Sequence, residues 1–152
     1  MEESKFKEIN LSIPSSLNHL RYVIAKVQEI AIDAGLDEVC RNISIPLLIS
    51  ESVTNAIKHG NRFDKSKKVH LKIRYDDKRF IIYIKDEGVG FDFDEIANPT
   101  HPENIYEEHG RGIYLISSIT DEYCYNKKGN EIRMVLKIDR MRSSANDLKP
   151  TE

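Results

Sequence analysis

The sequence predicts an α+β protein, a two-layer sandwich with its helices on one face of a sheet. Three observations carry this. Residues 69–75, "VHLKIRY", alternate strictly between apolar and polar and are followed by "RFIIYIKD" (79–86) across Asp76-Asp77-Lys78, the pattern of a β-hairpin. A helical stripe of Leu20, Val23, Ile24, Val27, Ile30 and Ala31 precedes it. The element order, with no internal repeat, sets consecutive antiparallel strands beside helices on one side.

In chain order, residues 5–13 ("KFKEINLSI") alternate as a strand ending at Pro14. Ser15 or Ser16 then caps a helix that runs to about Ala34 and stops at Gly35. A second helix is expected from near Ser44, because Pro46 is tolerated only in a first turn; a kinked, longer helix is the alternative. Ile49, Val53, Ala56 and Ile57 form its buried stripe, which leaves Glu51, Asn55 and Lys58 together on the other side. After the hairpin, residues 91–109 lack periodicity and read as a long loop. A helix follows over 110–121, then strands 122–127 and 131–138, joined through Lys128-Gly129-Asn130. The order is β-α-α-β-β-loop-α-β-β. Residues 1–140 form one domain, and the polar tail 141–152 is expected to be disordered.

At 152 residues and 17.6 kDa the chain suits one core. Its formal net charge of -2 announces no direct contact with nucleic acid or an anionic membrane. Two cysteines, Cys40 and Cys124, have neither the density of a disulfide scaffold nor metal-ligand spacing, which fits a reducing cytoplasm. The histidines lack metal-like spacing. No stretch approaches the roughly 20 apolar residues of a membrane span.

Three short stretches carry polar groups at suggestive positions. "SESVTNAIKHGN" (50–61) places Glu51 and Asn55 one turn apart, then breaks at Gly60; His59 and Asn61 suit a helix end. "KDEGVGF" (85–91) sets Asp86 at a strand end, where a carboxylate can accept a hydrogen bond from an exocyclic amine, with Gly88 and Gly90 allowing close backbone approach. "HGRGIYLI" leads Gly110 and Gly112 into a helix N-terminus, a favourable place for phosphate, with Arg111 between them. Taken singly, the second is also compatible with an ordinary turn and the third with a tight helix start.

Taken in order, these parts resemble the GHKL ATPases, and from about residue 10 to 138 the chain is similar to their anti-sigma factor serine/threonine kinase branch. The resemblance implies the Bergerat fold, with a mixed, mostly antiparallel sheet, and a cofactor of ATP with Mg²⁺. It implies that Asn55 holds the metal and that Glu51 is the catalytic base toward an incoming hydroxyl, or orients it. Asp86 would read the adenine amino group, Gly88 and Gly90 would let the nucleotide approach, and Gly110, Arg111 and Gly112 would shape the phosphate end. It further implies a homodimer that holds a sigma factor and phosphorylates an anti-anti-sigma antagonist of the STAS type. Some relatives carry an arginine just ahead of the Gly-x-Gly. Glu107, Glu108 and His109 stand there instead, so nucleotide binding is indicated more firmly than transfer. The alternative is a binding module in which nucleotide controls partner choice with negligible kinase activity. A histidine kinase core is disfavoured, since residues 1–43 leave no room for a two-helix dimerisation unit.

Overall fold

The computed structural model describes residues 5–90 and 112–138. Strand β1, Lys7–Pro14, ends at the expected proline. Ser16, not Ser15, supplies the cap, and it caps a short 3-10 turn, Leu17–His19, by accepting from the Asn18 N–H at 3.3 Å. Helix α1, Leu20–Ala34, follows without a break and closes on Gly35 in the left-handed region (φ 84°), where its N–H reaches the Ile32 carbonyl. Ser15 is buried and bonds elsewhere.

Helix α2, Ile45–Asn55, begins earlier than expected in effect, because helical backbone already runs from residue 38 through a π turn at Cys40–Ser44. The reason is Pro46. In this wider turn the Ile45 N–H bonds back five residues to Cys40. In the same register Pro46 would have to serve Arg41 and has no N–H to give; the Arg41 carbonyl accepts instead from Gln28 Nε2 of α1, at 3.0 Å. The proline therefore leaves no orphaned acceptor there. A second π turn, Ala56–Gly60, ends the helix.

The remaining elements are β2 (Lys68–Tyr75), β3 (Arg79–Lys85), α3 (112–119), β4 (Glu122–Tyr125) and β5 (Glu131–Lys137). The sheet order is β1-β2-β3-β5-β4, with every neighbouring pair antiparallel rather than mixed. Only the position of β5, inserted between β3 and β4, departs from sequential order.

Register places one apolar ladder beneath the helices. Leu11 faces Leu71, which faces Ile84, which faces Ile132; Ile9, Ile73, Ile82 and Met134 form the next rung. Val23, Val27 and Ala31 of α1 and Ile45, Leu48, Ile49 and Val53 of α2 cover this face and are buried with it. Fully burying side chains of this size stabilises the fold by about 1.5–3 kcal/mol each, before the entropy of ordering is set against it. The packing also fixes where α2 ends: its last turn arrives beside the C-terminal end of β3 and the start of β5. No described helix is long and apolar enough to cross a membrane.

Candidate functional site

Because Ile49, Val53, Ala56 and Ile57 are all buried against the sheet, the polar side of α2 must face away from the core, and Glu51 and Asn55 come out half-buried one turn apart. The start of α3 packs onto this pair. A Cβ added at Gly112 would lie 2.9 Å from Glu51 Oε2 and 3.1 Å from Asn55 Nδ2. Glycine lets α3 begin against these side chains without displacing their ends. Asn55 Nδ2 is buried and has no hydrogen-bond partner among the described residues, an arrangement that costs free energy unless something else supplies a partner.

Asp86 closes β3 and is 8% exposed. Its N–H donates to the Asn130 carbonyl at 2.9 Å, and Asn130 Nδ2 returns a longer bond to the Asp86 carbonyl at 3.3 Å. Asp86 Oδ1 accepts from the Gly88 N–H at 2.8 Å, which curls the chain around the carboxylate. Burial pushes the Asp86 carboxyl above its usual range, while the Gly88 bond and then Lys128 and Lys67 pull the other way. A carboxylate kept out of water in this manner is well suited to accept from an amine brought into the same cleft.

Two glycines make room for that carboxylate. A Cβ on Gly60 would stand 2.3 Å from both Cγ and Oδ2 of Asp86, and one on Gly88 would stand 2.0 Å from the Gly60 carbonyl oxygen. The helix end and the strand end therefore meet backbone to backbone. Gly90 is used differently: its φ is 84°, and a Cβ there would fall 1.9 Å from the Lys128 carbonyl oxygen, so its freedom serves the turn between β4 and β5.

Asn61 joins these pieces. It is 1% exposed, donates to Ser15 Oγ at 2.6 Å and to the Lys68 carbonyl at 2.9 Å, and accepts from the Glu87 N–H at 2.8 Å. The chain leaves it through Arg62 and Phe63, both left-handed.

Between the Asn55 and Asp86 groups lies a narrow cleft of about 20 Å³ lined by Ser52, Asn55, His59, Asp86, Tyr125 and Asn130, among others. Ile84 and Ile132 give it an apolar floor. Burial raises the Tyr125 phenol well above its usual range, so it stays neutral. A roomier depression at the opposite end of the sheet is rimmed by Lys5, Lys7, Asp33, Tyr75, Asp76 and Asp77. Its charges face solvent, with Tyr75 donating to Asp33 and Lys7 pairing with Asp33 at 3.4 Å, so it lacks the apolar walls of a small-molecule site.

Glu51, Asn55 and Gly112 are thus brought together, as are Asp86 and Gly88, with the cleft connecting the two groups. Gly110 and Arg111 lie outside the described residues, as do Glu107, Glu108 and His109. Sequence reasoning passed over Gly60, read only as a helix break, over Asn130, read only as part of the turn between the last two strands, and over Tyr125, whose strand carries no signal beyond alternation. Among the described residues no group of three or more His, Cys, Asp or Glu is placed to hold a metal ion. The donors that are present, one amide at Asn55 and the nearby Glu51 carboxylate, fit a hard cation that takes its other ligands from phosphate and water.

An apolar-floored cleft with a buried carboxylate at one end and an acid, an amide and a helix start at the other defines a candidate small-ligand site on a two-layer sandwich. The sequence profile of the histidine kinase-like ATPase domain matches residues 13–136, and the chain belongs to this family, the GHKL ATPases. Among curated proteins it is similar to the serine-protein kinase RsbW of Bacillus subtilis (strain 168), 26% identical over 122 residues that span 75% of this chain and 74% of that protein. It is similar to the anti-sigma F factor of Bacillus velezensis, 29% identical over 76% of this chain and 80% of that protein. The anti-sigma F factor of Shouchella clausii is 34% identical over 64% of this chain and 69% of its own length. The chain is a distant homologue of these anti-sigma kinases, and its family binds ATP.

Proposed function

We propose that this chain is an ATP- and Mg²⁺-dependent protein serine/threonine kinase that phosphorylates a small anti-anti-sigma antagonist of the STAS type and otherwise sequesters a sigma factor. The observation that carries the reading is the convergence of Glu51 and Asn55 on Gly112, at one end of a cleft whose other end is the buried Asp86. Asp86 reads the base through its amine, and Gly60 and Gly88 let the base approach. Asn55 would hold Mg²⁺ through its amide oxygen, and the bound ion would neutralise charge on the phosphates; the buried, partnerless Asn55 Nδ2 would donate to an acceptor brought by the ligand. Glu51 orients the incoming hydroxyl or accepts its proton. Gly110, Arg111 and Gly112 complete the phosphate end, and Gly90 supports the turn behind the base. The names of the relatives, a serine-protein kinase and anti-sigma F factors, support a serine acceptor and a sigma-factor partner, while the STAS-type antagonist rests on the resemblance. The protein works in the cytoplasm, which suits Cys40 and Cys124 as free thiols, and as a homodimer, which rests on the resemblance alone.

The test supplies labelled ATP and Mg²⁺ with candidate antagonist proteins to the natural chain and to Glu51→Gln. The substitution is expected to spare ATP binding and abolish labelling of the antagonist. Equal labelling by the two proteins removes Glu51 from the reaction. The second reading, a nucleotide-gated binding module with negligible transfer, is favoured by the acids Glu107 and Glu108 ahead of Gly110. It predicts ATP-dependent partner binding with no label transferred by either protein.

A further inference from the structure

We propose that Asn61 is a positioning residue for base recognition: by holding the Glu87 N–H it fixes the Asp86 carboxylate, and so sets the preference for a purine that carries an exocyclic amine. This rests on the reading of Asp86 as the base contact.

Asn61 ties the end of its own helix to three other segments. Its Oδ1 takes the Glu87 N–H at 2.8 Å, while its Nδ2 donates to Ser15 Oγ at 2.6 Å, beyond the end of β1, and to the Lys68 carbonyl at 2.9 Å, at the start of β2. Its own N–H closes the π turn onto the Ala56 carbonyl at 2.8 Å. Both polar ends of the amide are used, so the side chain cannot rotate without losing two or more bonds in a site 1% exposed to water. A purely structural cap would need only the contacts to its own helix, Ser15 and Lys68. The bond to Glu87 does something else, because Glu87 is the peptide that follows Asp86.

On its other side Asp86 is held by Asn130, through the 2.9 Å bond from the Asp86 N–H. Asn130 is itself oriented by Asn126 Nδ2, which donates to its Oδ1 at 2.7 Å. The peptides on either side of Asp86 are thus clamped by two asparagines, and the Gly88 N–H sets the carboxylate plane from the third direction. The Glu87 side chain adds to the hold, accepting from the Lys68 N–H at 2.8 Å and facing His70 Nε2 at 3.0 Å. Removing Asn130 would disturb the cleft wall directly, since it lines the cleft. Asn61 does not line it and acts only through Asp86.

The experiment compares ATP with inosine triphosphate, which carries a carbonyl in place of the amine, by calorimetry on the natural chain, Asn61→Ala, Ser15→Ala and Asp86→Asn. The natural chain prefers ATP, and Asn61→Ala loses about tenfold in ATP affinity with little change for inosine triphosphate, the size expected for one charge-assisted hydrogen bond. Ser15→Ala, which removes a partner on the structural side of the same amide, lowers the melting temperature but keeps the preference. An Asn61→Ala protein that loses both nucleotides equally, with the ratio intact, overturns the proposal. If the natural chain shows no preference and Asp86→Asn changes nothing, the base reading fails and this proposal falls with it. Should Asn61→Ala not fold, amide hydrogen exchange on the natural chain without nucleotide decides: the Glu87 N–H is protected if Asn61 holds it, and rapid exchange there overturns the proposal.

Discussion

Gly60→Ala isolates the contact on which the cleft depends. The backbone at residue 60 is not left-handed, so alanine is conformationally allowed and, in a helical turn, favoured by about 1 kcal/mol. Its Cβ would nevertheless stand 2.3 Å from Asp86 Cγ and Oδ2. To reach an ordinary contact of about 3.5 Å the carboxylate must withdraw by more than about 1 Å. It cannot do so freely, because the Asp86 N–H is bound to Asn130 and the Glu87 N–H to Asn61. Overpacking of this kind costs about 1–3 kcal/mol, which the helix preference partly offsets. A net loss of about 1 kcal/mol lowers Tm by roughly 2–4 °C for a domain of this size. Binding suffers far more. A carboxylate moved by 1 Å forfeits its hydrogen bond to the base, worth about 1.5–3 kcal/mol, or roughly 10–150-fold in ATP affinity. Thermal melts and calorimetry on the same samples measure both. In an Asp86→Ala background the two 2.3 Å contacts are gone and only the Cβ of residue 86, at 2.8 Å, stays in the way, so adding Gly60→Ala should cost less than it does in the natural chain, a non-additivity that marks direct contact. A Gly60→Ala protein that binds ATP as tightly as the natural chain refutes the reasoning.

Asp86→Asn should raise thermal stability near neutral pH while it weakens ATP binding. Burial raises the folded-state pKa of Asp86 above its unfolded value of 3.8, so its favourable, protonated contribution is complete below that value and is lost as pH rises through the folded value. The advantage of asparagine in Tm should therefore shrink as the melts are taken down through the folded value toward 3.8; a difference that is independent of pH, or that favours aspartate at neutrality, contradicts this. The two thiols should differ in reactivity: Cys40 is 1% exposed and burial pushes its pKa up to about 11, whereas Cys124 is exposed on the edge strand. One equivalent of alkylating reagent is expected to label Cys124 alone in the native protein, as read by peptide mass spectrometry, and labelling of Cys40 without unfolding would show that α2 opens at its π turn.

The parts of this fold that follow from local rules were legible in the sequence. Strict alternation gave the β2–β3 hairpin, and the apolar stripe of Ile49, Val53, Ala56 and Ile57 correctly turned Glu51 and Asn55 to the polar side. Two π turns were not legible, because a π turn has no periodicity of its own over five residues; Pro46 alone hinted at the first. The insertion of β5 between β3 and β4 depends on where a long connection returns, which alternation does not specify. At the site, Asp86 and Asn55 were visible as polar residues at element ends. The need for glycine at 60 was hidden, since it arises from a side chain 26 positions away. Asn61 was hidden for the same reason: its partners are Ser15, Lys68 and Glu87, and no local pattern distinguishes such a junction from a helix cap.

The central claim, that Asp86 closes a purine site, is tested most directly by titrating the natural chain and Asp86→Asn with ATP and Mg²⁺ in a calorimeter. Saturable binding of one nucleotide per chain, weakened at least about tenfold by the substitution, is the predicted result. No heat of binding in the natural chain, or equal affinity in the two, would contradict it.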